Sequence, residues 1–263
     1  MPLMKIRPGT IARNRLLRDF PHMTDVTYAN LPLGEVKVHA LEISVNRRYS
    51  AGLSAVGSFS VTRVRESRTV HEFDRAPTIW QGSNGGRPYR FAGSAMYELP
   101  FGSSRQFLSQ GGPVAAVVGG WQVAATYDFQ PGSLLGDWPS LFFYGNLDDI
   151  AVDNPTRERW FNTDAGFEKD PARTPAGFQK RQFPFRVDGV RGQALSVLSM
   201  SLSRSVDLGN RRTVQLRVDA QNLLNRQHWN NATLNPTSSN FGQVTTVSAN
   251  FMRFITFGIK MNF

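Results

Sequence analysis

Long segments of this chain alternate between apolar and small or polar residues, and this pattern constrains the fold more than any other sequence feature. Period-two alternation is typical of β-strands whose two faces meet different surroundings. We predict about seven such strands, at roughly 36–48, 53–62, 90–99, 121–130, 198–203, 214–221 and 255–263. In the first of these the apolar positions change parity after Ala40, which predicts a β-bulge. The sequence therefore predicts an all-β fold, without any helical segment.

The predicted strands and their connections have the dimensions of a membrane barrel. Five of the seven predicted strands are about 9–13 residues long, close to the ~9–11 that a tilted strand needs to cross a bilayer and longer than the ~5–6 of an average soluble strand. Short turns at 49–50 and 207–210 alternate with long polar connections at 65–87, 131–194 and 225–250. The link from Pro100 to Gly120 departs from this alternation, because it is long but falls on the short side. Alternating short turns and long extracellular loops favour an antiparallel transmembrane β-barrel.

The two faces of the predicted strands differ in composition. The polar face carries mainly Ser, Thr, Gln, Asn and Gly, which fits a water-filled lumen better than a free surface. Aromatic residues near the strand ends predict an interfacial girdle, formed by Tyr89, Phe91, Tyr97, Phe101, Trp121, Tyr127, Phe129, Phe251 and Phe254. The alternative is a soluble all-β binding module, such as a lectin-like sandwich, in which the same aromatics fill a core.

Composition and motifs exclude several other functions. The chain has no cysteine, which excludes disulfides and thiolate metal sites. Its 30 Lys and Arg against 20 Asp and Glu give a net charge of +10, but these residues form no stripe or motif, so we expect no nucleic-acid partner. The acidic cluster Asp148, Asp149 and Asp153 lacks the EF-hand pattern, and four histidines have no zinc spacing: His22, His39, His71 and His228. No catalytic or nucleotide motif is present, so we expect neither an enzyme nor a cofactor.

Several ordered sequence blocks resemble one family. They are Arg87–Gly102 (RPYRFAGSAMYELPFG), Gly119–Val123 (GGWQV), Arg159–Asp164 (RWFNTD), Gln215–Asn225 (QLRVDAQNLLN), Asn235–Gly242 (NPTSSNFG) and Phe257–Phe263 (FGIKMNF). Together the chain resembles Oar-like TonB-dependent outer-membrane receptors over roughly 36–263. The resemblance implies that 35–263 are the C-terminal part of a barrel of ~22 strands, with 1–34 as an irregular upstream loop region.

The resemblance also implies a location and partners. It places the protein in the bacterial outer membrane, against lipid, where it takes up an unknown solute. Energy would come from the TonB complex through a plug that we expect outside this sequence. The N-terminal residues lack an apolar signal segment, so we expect this chain to be part of a longer receptor and not a working transporter alone. In the terminal strand, the resemblance assigns a signal for the barrel-assembly machinery to Ile255, Phe257, Ile259, Met261 and Phe263.

Overall fold

A computed structural model describes residues 16, 20–23, 34–68, 79–83, 86–103, 105–176, 181–209 and 211–263. Eight antiparallel strands form one sheet: β1 (Glu35–Ser50), β2 (Leu53–Arg68), β3 (Ile79–Gly82), β4 (Tyr89–Glu98), β5 (Trp121–Gln130), β6 (Leu195–Gly209), β7 (Arg212–Gln221) and β8 (Phe254–Asn262). Seven long strands follow one another in the order β1-β2-β4-β5-β6-β7-β8, and the short β3 pairs only with β2. The predicted all-β antiparallel fold is confirmed, although the sheet is open and not a closed barrel. Nearly all of the predicted 1–34 region lies outside the described residues.

The first long connection contains regular structure that the sequence did not predict. β2 continues to Arg68, beyond the predicted end at 62, and its last four residues pair with β3. The prediction of a loop over the whole of 65–87 is therefore wrong. The alternation that located β2 ends at Val61, where the apolar positions give way to Arg63 and Arg65. Backbone pairing continues past that point, because hydrogen bonding does not depend on which face is apolar.

The predicted bulge in the first strand is also wrong. Register between β1 and β2 is unbroken from Glu35 opposite Ser67 to Arg47 opposite Ala55, and it shifts only beside the turn. The apolar residues change from even to odd positions after Ala40 because one face of the strand changes from charged to apolar along its length. Up to that point one face carries charged side chains, and beyond it the same face carries apolar ones.

The link between β4 and β5 contains one short helix, α1 (Pro113–Val118), which contradicts the prediction of no helical segment. Its sequence, PVAAVV, is rich in β-branched valine, which has a low helix propensity, and proline is at its start. The Val117 carbonyl oxygen accepts hydrogen bonds from the Trp121 indole (3.1 Å) and the Arg204 guanidinium (2.7 Å). Among the described residues, no helix is long and apolar enough to cross a membrane.

The buried core lies in the long connections and not between sheets. We call the described residues 131–176, 181–194 and 222–251 the loop lobe. Thirteen buried apolar residues form its core: Leu135, Trp138, Leu141, Ile150, Trp160, Phe161, Phe167, Phe183, Val187, Val190, Ala232, Phe241 and Val244. Apart from two 3-10 turns, Leu147–Asp149 and Ala249–Phe251, the described part of the lobe has no helix or named strand. The predicted polar loops are therefore a packed body built from irregular chain.

Candidate functional site

One face of the sheet presents apolar side chains in continuous register. A single row of directly paired residues crosses six strands: Leu53, Tyr97, Val123, Leu202, Val218 and Phe257. Much of this face is exposed, and Phe257 and Ile259 are 78% and 74% accessible. An apolar surface of this extent marks a contact with lipid or another protein. We call it the outward face.

Aromatic residues border the outward face at both ends. At the long-loop end the belt comprises Phe59, Tyr89, Phe91, Tyr127 and Phe129, whose neighbouring rings lie about 6 Å apart. Tyr97 and Trp121 lie at the short-turn end. Tyr89 and Tyr97 are eight positions apart, which corresponds to ~27 Å along the strand and ~21 Å after a tilt of ~40°, close to the ~25 Å apolar band of outer-membrane barrels.

Two predicted members of the girdle do not belong to it. The ring of Phe251 lies 4.5 Å from that of His228 in the loop lobe. Phe254 pairs with Gln221 and so lies in the register of the opposite face. Both residues do lie near a strand end, as predicted. Their position in the sequence did not indicate which surface of the protein each one joins.

The opposite, polar face carries ion pairs and an open cleft. Arg90 Nε donates to Asp128 Oδ2 (3.0 Å), and Arg217 Nε donates to Asp219 (2.8 Å). The cleft has a volume of about 450 Å³, and its lining includes Ser58, Ser94, Thr126 and Asp128. These hydroxyl and charged groups can bind a hydrated or polar solute, as the wall of a water-filled lumen does.

Trp138 lies at the centre of the loop lobe and is 1% exposed. Its ring centroid lies 4.9 Å from Phe161, 5.6 Å from Phe167 in a stacked arrangement, and 5.4 Å from Phe183. Such edge and stacked pairs are the preferred geometries of aromatic rings. Close ring packing thus adds to the backbone hydrogen bonds that join this segment to the rest of the lobe, such as the one from the Trp138 amide to the Phe185 carbonyl oxygen (2.9 Å).

Arginines attach the loop lobe to the sheet. Arg186, which is 7% exposed, pairs with Glu66 of β2 and lies 3.1 Å from Asp137. Gln81 of β3 also donates to Glu66 (3.2 Å). Arg191 donates to the carbonyl oxygens of Gly86 and Gly132, and burial lowers the pKa of its guanidinium. These contacts hold the lobe against the extended end of β2.

Two further groups in the lobe have shifted pKa values. Burial, and then the charge of Arg226, lowers the pKa of His228, and its Nε2 is buried without a partner among the described residues. A hydrogen bond from Lys169 lowers the pKa of the exposed Asp164. His228 thus favours its neutral form, whereas Asp164 favours its charged form.

The predicted assembly-signal residues belong to the edge strand β8 and the residue that follows it. Ile255, Phe257, Ile259 and Met261 pair with Ala220, Val218, Leu216 and Val214 of β7, so all four lie on the outward face. Phe263 follows the last strand residue and is 94% exposed. The other edge of β8 pairs with no described strand.

The candidate metal-binding residues do not come together. Asn146 accepts a hydrogen bond from the Asp148 amide (3.1 Å), and the Asp149 carbonyl accepts one from Asn162 (3.0 Å). The acidic cluster is therefore part of a capped 3-10 turn. His39 lies in β1, His228 lies in the lobe, and His71 lies outside the described residues. In the described part of the chain, no three His, Asp or Glu side chains are grouped to hold a metal.

Sequence reasoning missed the core of the lobe and the anchor formed by Arg186. A signal was present in two of the family-like blocks, because 159–164 contains Trp160 and Phe161 and 235–242 contains Phe241. In a region without periodicity, large aromatics spaced irregularly are the remaining sign of a packed core.

Comparison with known proteins identifies the family. A family model described as "Outer membrane beta barrel domain" matches residues 3–256, which is nearly the whole chain. The chain belongs to this family of outer-membrane β-barrel domains, and its location is the bacterial outer membrane. Neither the curated proteins nor the solved structures contain a significant match. The family contradicts the alternative of a soluble lectin-like module, and in outer-membrane barrels the apolar face of the strands is the one that meets lipid.

Proposed function

We propose that this sheet forms part of the wall of a TonB-dependent receptor that imports a solute across the outer membrane. The observation that carries the proposal is the packed loop lobe at the long-loop end of a lipid-facing sheet. Long connections at that end are extracellular in outer-membrane barrels. A lobe with a rigid core at the barrel mouth is suited to recognise a solute before uptake.

Strand parity supports a larger barrel. β1 and β8 both run from the long-loop end to the short-turn end, because seven long strands follow one another antiparallel. Pairing β1 directly with β8 would therefore create a parallel pair in an otherwise antiparallel sheet. Bacterial single-chain barrels have an even number of strands, so closure requires further strands. A receptor barrel with a plugged lumen supplies them.

The polar face supports passage of a hydrophilic solute. The Arg90–Asp128 pair and the hydroxyls of Ser58, Ser94 and Thr126 lie on one wall, below the lobe. In this proposal the lobe selects the solute and the polar face conducts it. TonB acts through a plug domain and makes no contact with these strands.

The proposal is tested by uptake in the source bacterium. A strain lacking the gene, a strain lacking TonB and the double deletion are grown on the same mixture of oligosaccharides, peptides and metal chelates, and depletion from the medium is measured. We expect the gene deletion to abolish uptake of at least one compound that the TonB deletion also abolishes, without a further effect in the double deletion. If uptake of a compound is lost in the gene deletion but continues in the strain lacking TonB, the barrel is passive. If the gene deletion leaves the depletion of every compound unchanged, import is contradicted.

We also propose that β8 is the strand that the barrel-assembly machinery recognises. An unpaired amphipathic strand can add to the edge of another sheet, and alternate side chains provide specificity. Replacing Phe263 and Phe257 by Ala is expected to reduce the protein in outer-membrane fractions several-fold. The control replaces Lys260 and Asn262, on the other face of the same strand. An equal reduction in both variants would contradict recognition through the apolar side chains.

A further inference from the structure

Above the apolar band, the outward face becomes basic. Lys37 and His39 of β1, Arg63 and Arg65 of β2 and Trp80 of β3 line one open groove of about 370 Å³, which we call the basic groove. Lys37 is directly opposite Arg65, and His39 is directly opposite Arg63. Like charges opposite each other on paired strands are destabilising. An arrangement of this kind is stabilised when an anion lies between them.

Few contacts among the described residues neutralise the basic groove. Lys37 Nζ lies 4.4 Å from the centroid of the Trp80 ring, and Arg65 Nη2 donates to the Trp80 carbonyl oxygen (3.0 Å). Among the described residues, the carboxylate that forms an ion pair with a groove residue is that of Glu35, 3.9 Å from Lys37 Nζ, and both side chains are more than 60% exposed. Glu66 points to the polar face, where it pairs with Arg186. Counting only the described residues, three permanent cations face one exposed carboxylate.

The position of the basic groove selects the kind of anion. It begins one outward-facing position beyond Leu41 and Val61, which are the last apolar pair of the band. Two residues along a strand correspond to ~7 Å, so the groove lies at headgroup depth. Its end of the sheet carries the long loops, which places it in the external leaflet. A ligand here has its charged group in the groove and its acyl chains on the outward face.

We propose that the basic groove binds the phosphate groups of a phosphorylated glycolipid in the external leaflet. Arg63 and Arg65 can bind phosphate oxygens with the planar donor geometry that guanidinium groups provide. Lys37 adds a third cation, and Trp80 anchors the site at the interface, where its amphipathic ring is favoured. The inference rests on membrane placement and not on solute uptake, so it can hold whether or not the protein imports a solute.

The test measures lipid binding by the full-length protein, purified from outer membranes and exchanged into detergent. Bisphosphorylated lipid A is titrated against its dephosphorylated form, and bound lipid is counted by native mass spectrometry. We expect the phosphorylated form to bind at least tenfold more tightly. Each basic residue near a membrane surface strengthens binding to anionic lipid about fivefold at low salt. Arg63→Gln with Arg65→Gln removes two such residues and is therefore expected to weaken binding about 30-fold.

The matched control is Arg47→Gln with Arg212→Gln. Both arginines lie in the outward register but at the short-turn end, next to the opposite leaflet. We expect this control to bind as wild type, and Arg63→Lys with Arg65→Lys to retain most of the affinity. Equal loss in the control, or equal affinity of the wild type for both lipid forms, would overturn the proposal. Displacement of lipid A by millimolar inorganic phosphate would also overturn it, because the groove would then bind a soluble anion. The comparison of the two lipid forms needs no variant, so it stands even if a substitution prevents folding.

Discussion

Large side chains at the centre of the loop lobe pack together while backbone hydrogen bonds join its segments. Trp138 contacts several aromatic rings at once, and each such pair contributes ~0.5–1.5 kcal/mol beyond the area that it buries. The Trp138 indole N–H is buried without a partner among the described residues. A buried donor without an acceptor is unfavourable, so the ring is retained there for its volume and contacts.

Replacing Trp138 by Ala is expected to destabilise the lobe by about 3–5 kcal/mol, because the substitution leaves a cavity at the centre of the core. The strands would remain in the membrane, since none of them depends on this ring. The measurement is hydrogen exchange of 131–194 compared with that of β4 to β7, in the protein purified from outer membranes.

Two controls separate volume from chemistry at this position. Trp138→Phe keeps much of the ring and removes the unpaired N–H, so we expect a smaller loss than with Ala. Tyr144→Ala removes an aromatic side chain that is 72% exposed in the same lobe, and we expect a change of at most about 0.5 kcal/mol. Loss of lobe protection with Tyr144→Ala as large as that with Trp138→Ala would contradict this account of the core.

His228 predicts a pH dependence of the lobe. Its pKa in the folded protein is below the usual 6.5, so the unfolded chain binds a proton more readily than the folded one. The stability contributed by the neutral ring is complete above about pH 6.5 and is lost as the pH falls from there through the lowered pKa. We expect proteolysis of 222–251 to accelerate in mildly acidic buffer in the wild type and to change less in His228→Gln. The same acceleration in both proteins would assign the effect to other groups.

At the scale of the strand, alternation determines which surface meets lipid. Phe257 and Thr256 are neighbours in β8 and lie on opposite faces. An arginine at Phe257 is expected to cost about 2–4 kcal/mol near the middle of the bilayer, whereas one at Thr256 lies beside Asp219 on the polar face. We therefore expect Phe257→Arg to lower the amount of heat-modifiable protein in outer membranes several-fold, and Thr256→Arg to leave it close to wild type. The reverse order would show that the two faces have been exchanged.

The membrane-spanning parts of the strands were predictable, and their extensions were not. Within the bilayer each residue faces either lipid or polar lumen, so the alternation in sequence predicts where β4 and β5 begin and end. Beyond the hydrocarbon both faces meet polar surroundings, and β2 continues over Arg63 to Arg68 without an alternating pattern. The helix α1 escaped prediction for another reason, because tertiary hydrogen bonds from Trp121 and Arg204 support a segment of low helix propensity.

For the whole molecule, the two open edges of the sheet, β1 and β8, require pairing partners. In hydrocarbon, unpaired backbone groups cost several kcal/mol each, so we expect β1 and β8 to pair with further strands in the membrane. The chain lacks cysteine, so introduced cysteines report strand neighbours without interference.

We expect no disulfide between Ser44→Cys in β1 and Thr256→Cys, Gly258→Cys or Lys260→Cys in β8 when membranes containing this protein are oxidised. The positive control combines Ser44→Cys with Ser58→Cys, because Ser44 and Ser58 are directly opposite each other. A link between β1 and β8 as efficient as that of the control would mean that these strands close the barrel by themselves.

The sequence by itself determined the strand faces, the alternation of short and long connections, and hence the class of outer-membrane barrel. These features follow from the contrast between lipid and polar surroundings. Each residue type reflects the surroundings of its own position and does not depend on distant residues. Only the tertiary structure decided that the long connections pack around Trp138, that Arg186 joins them to Glu66, and that four charged or titratable residues of β1 and β2 meet beside Trp80. Those contacts join residues far apart in the chain, and no local period encodes which of them come together.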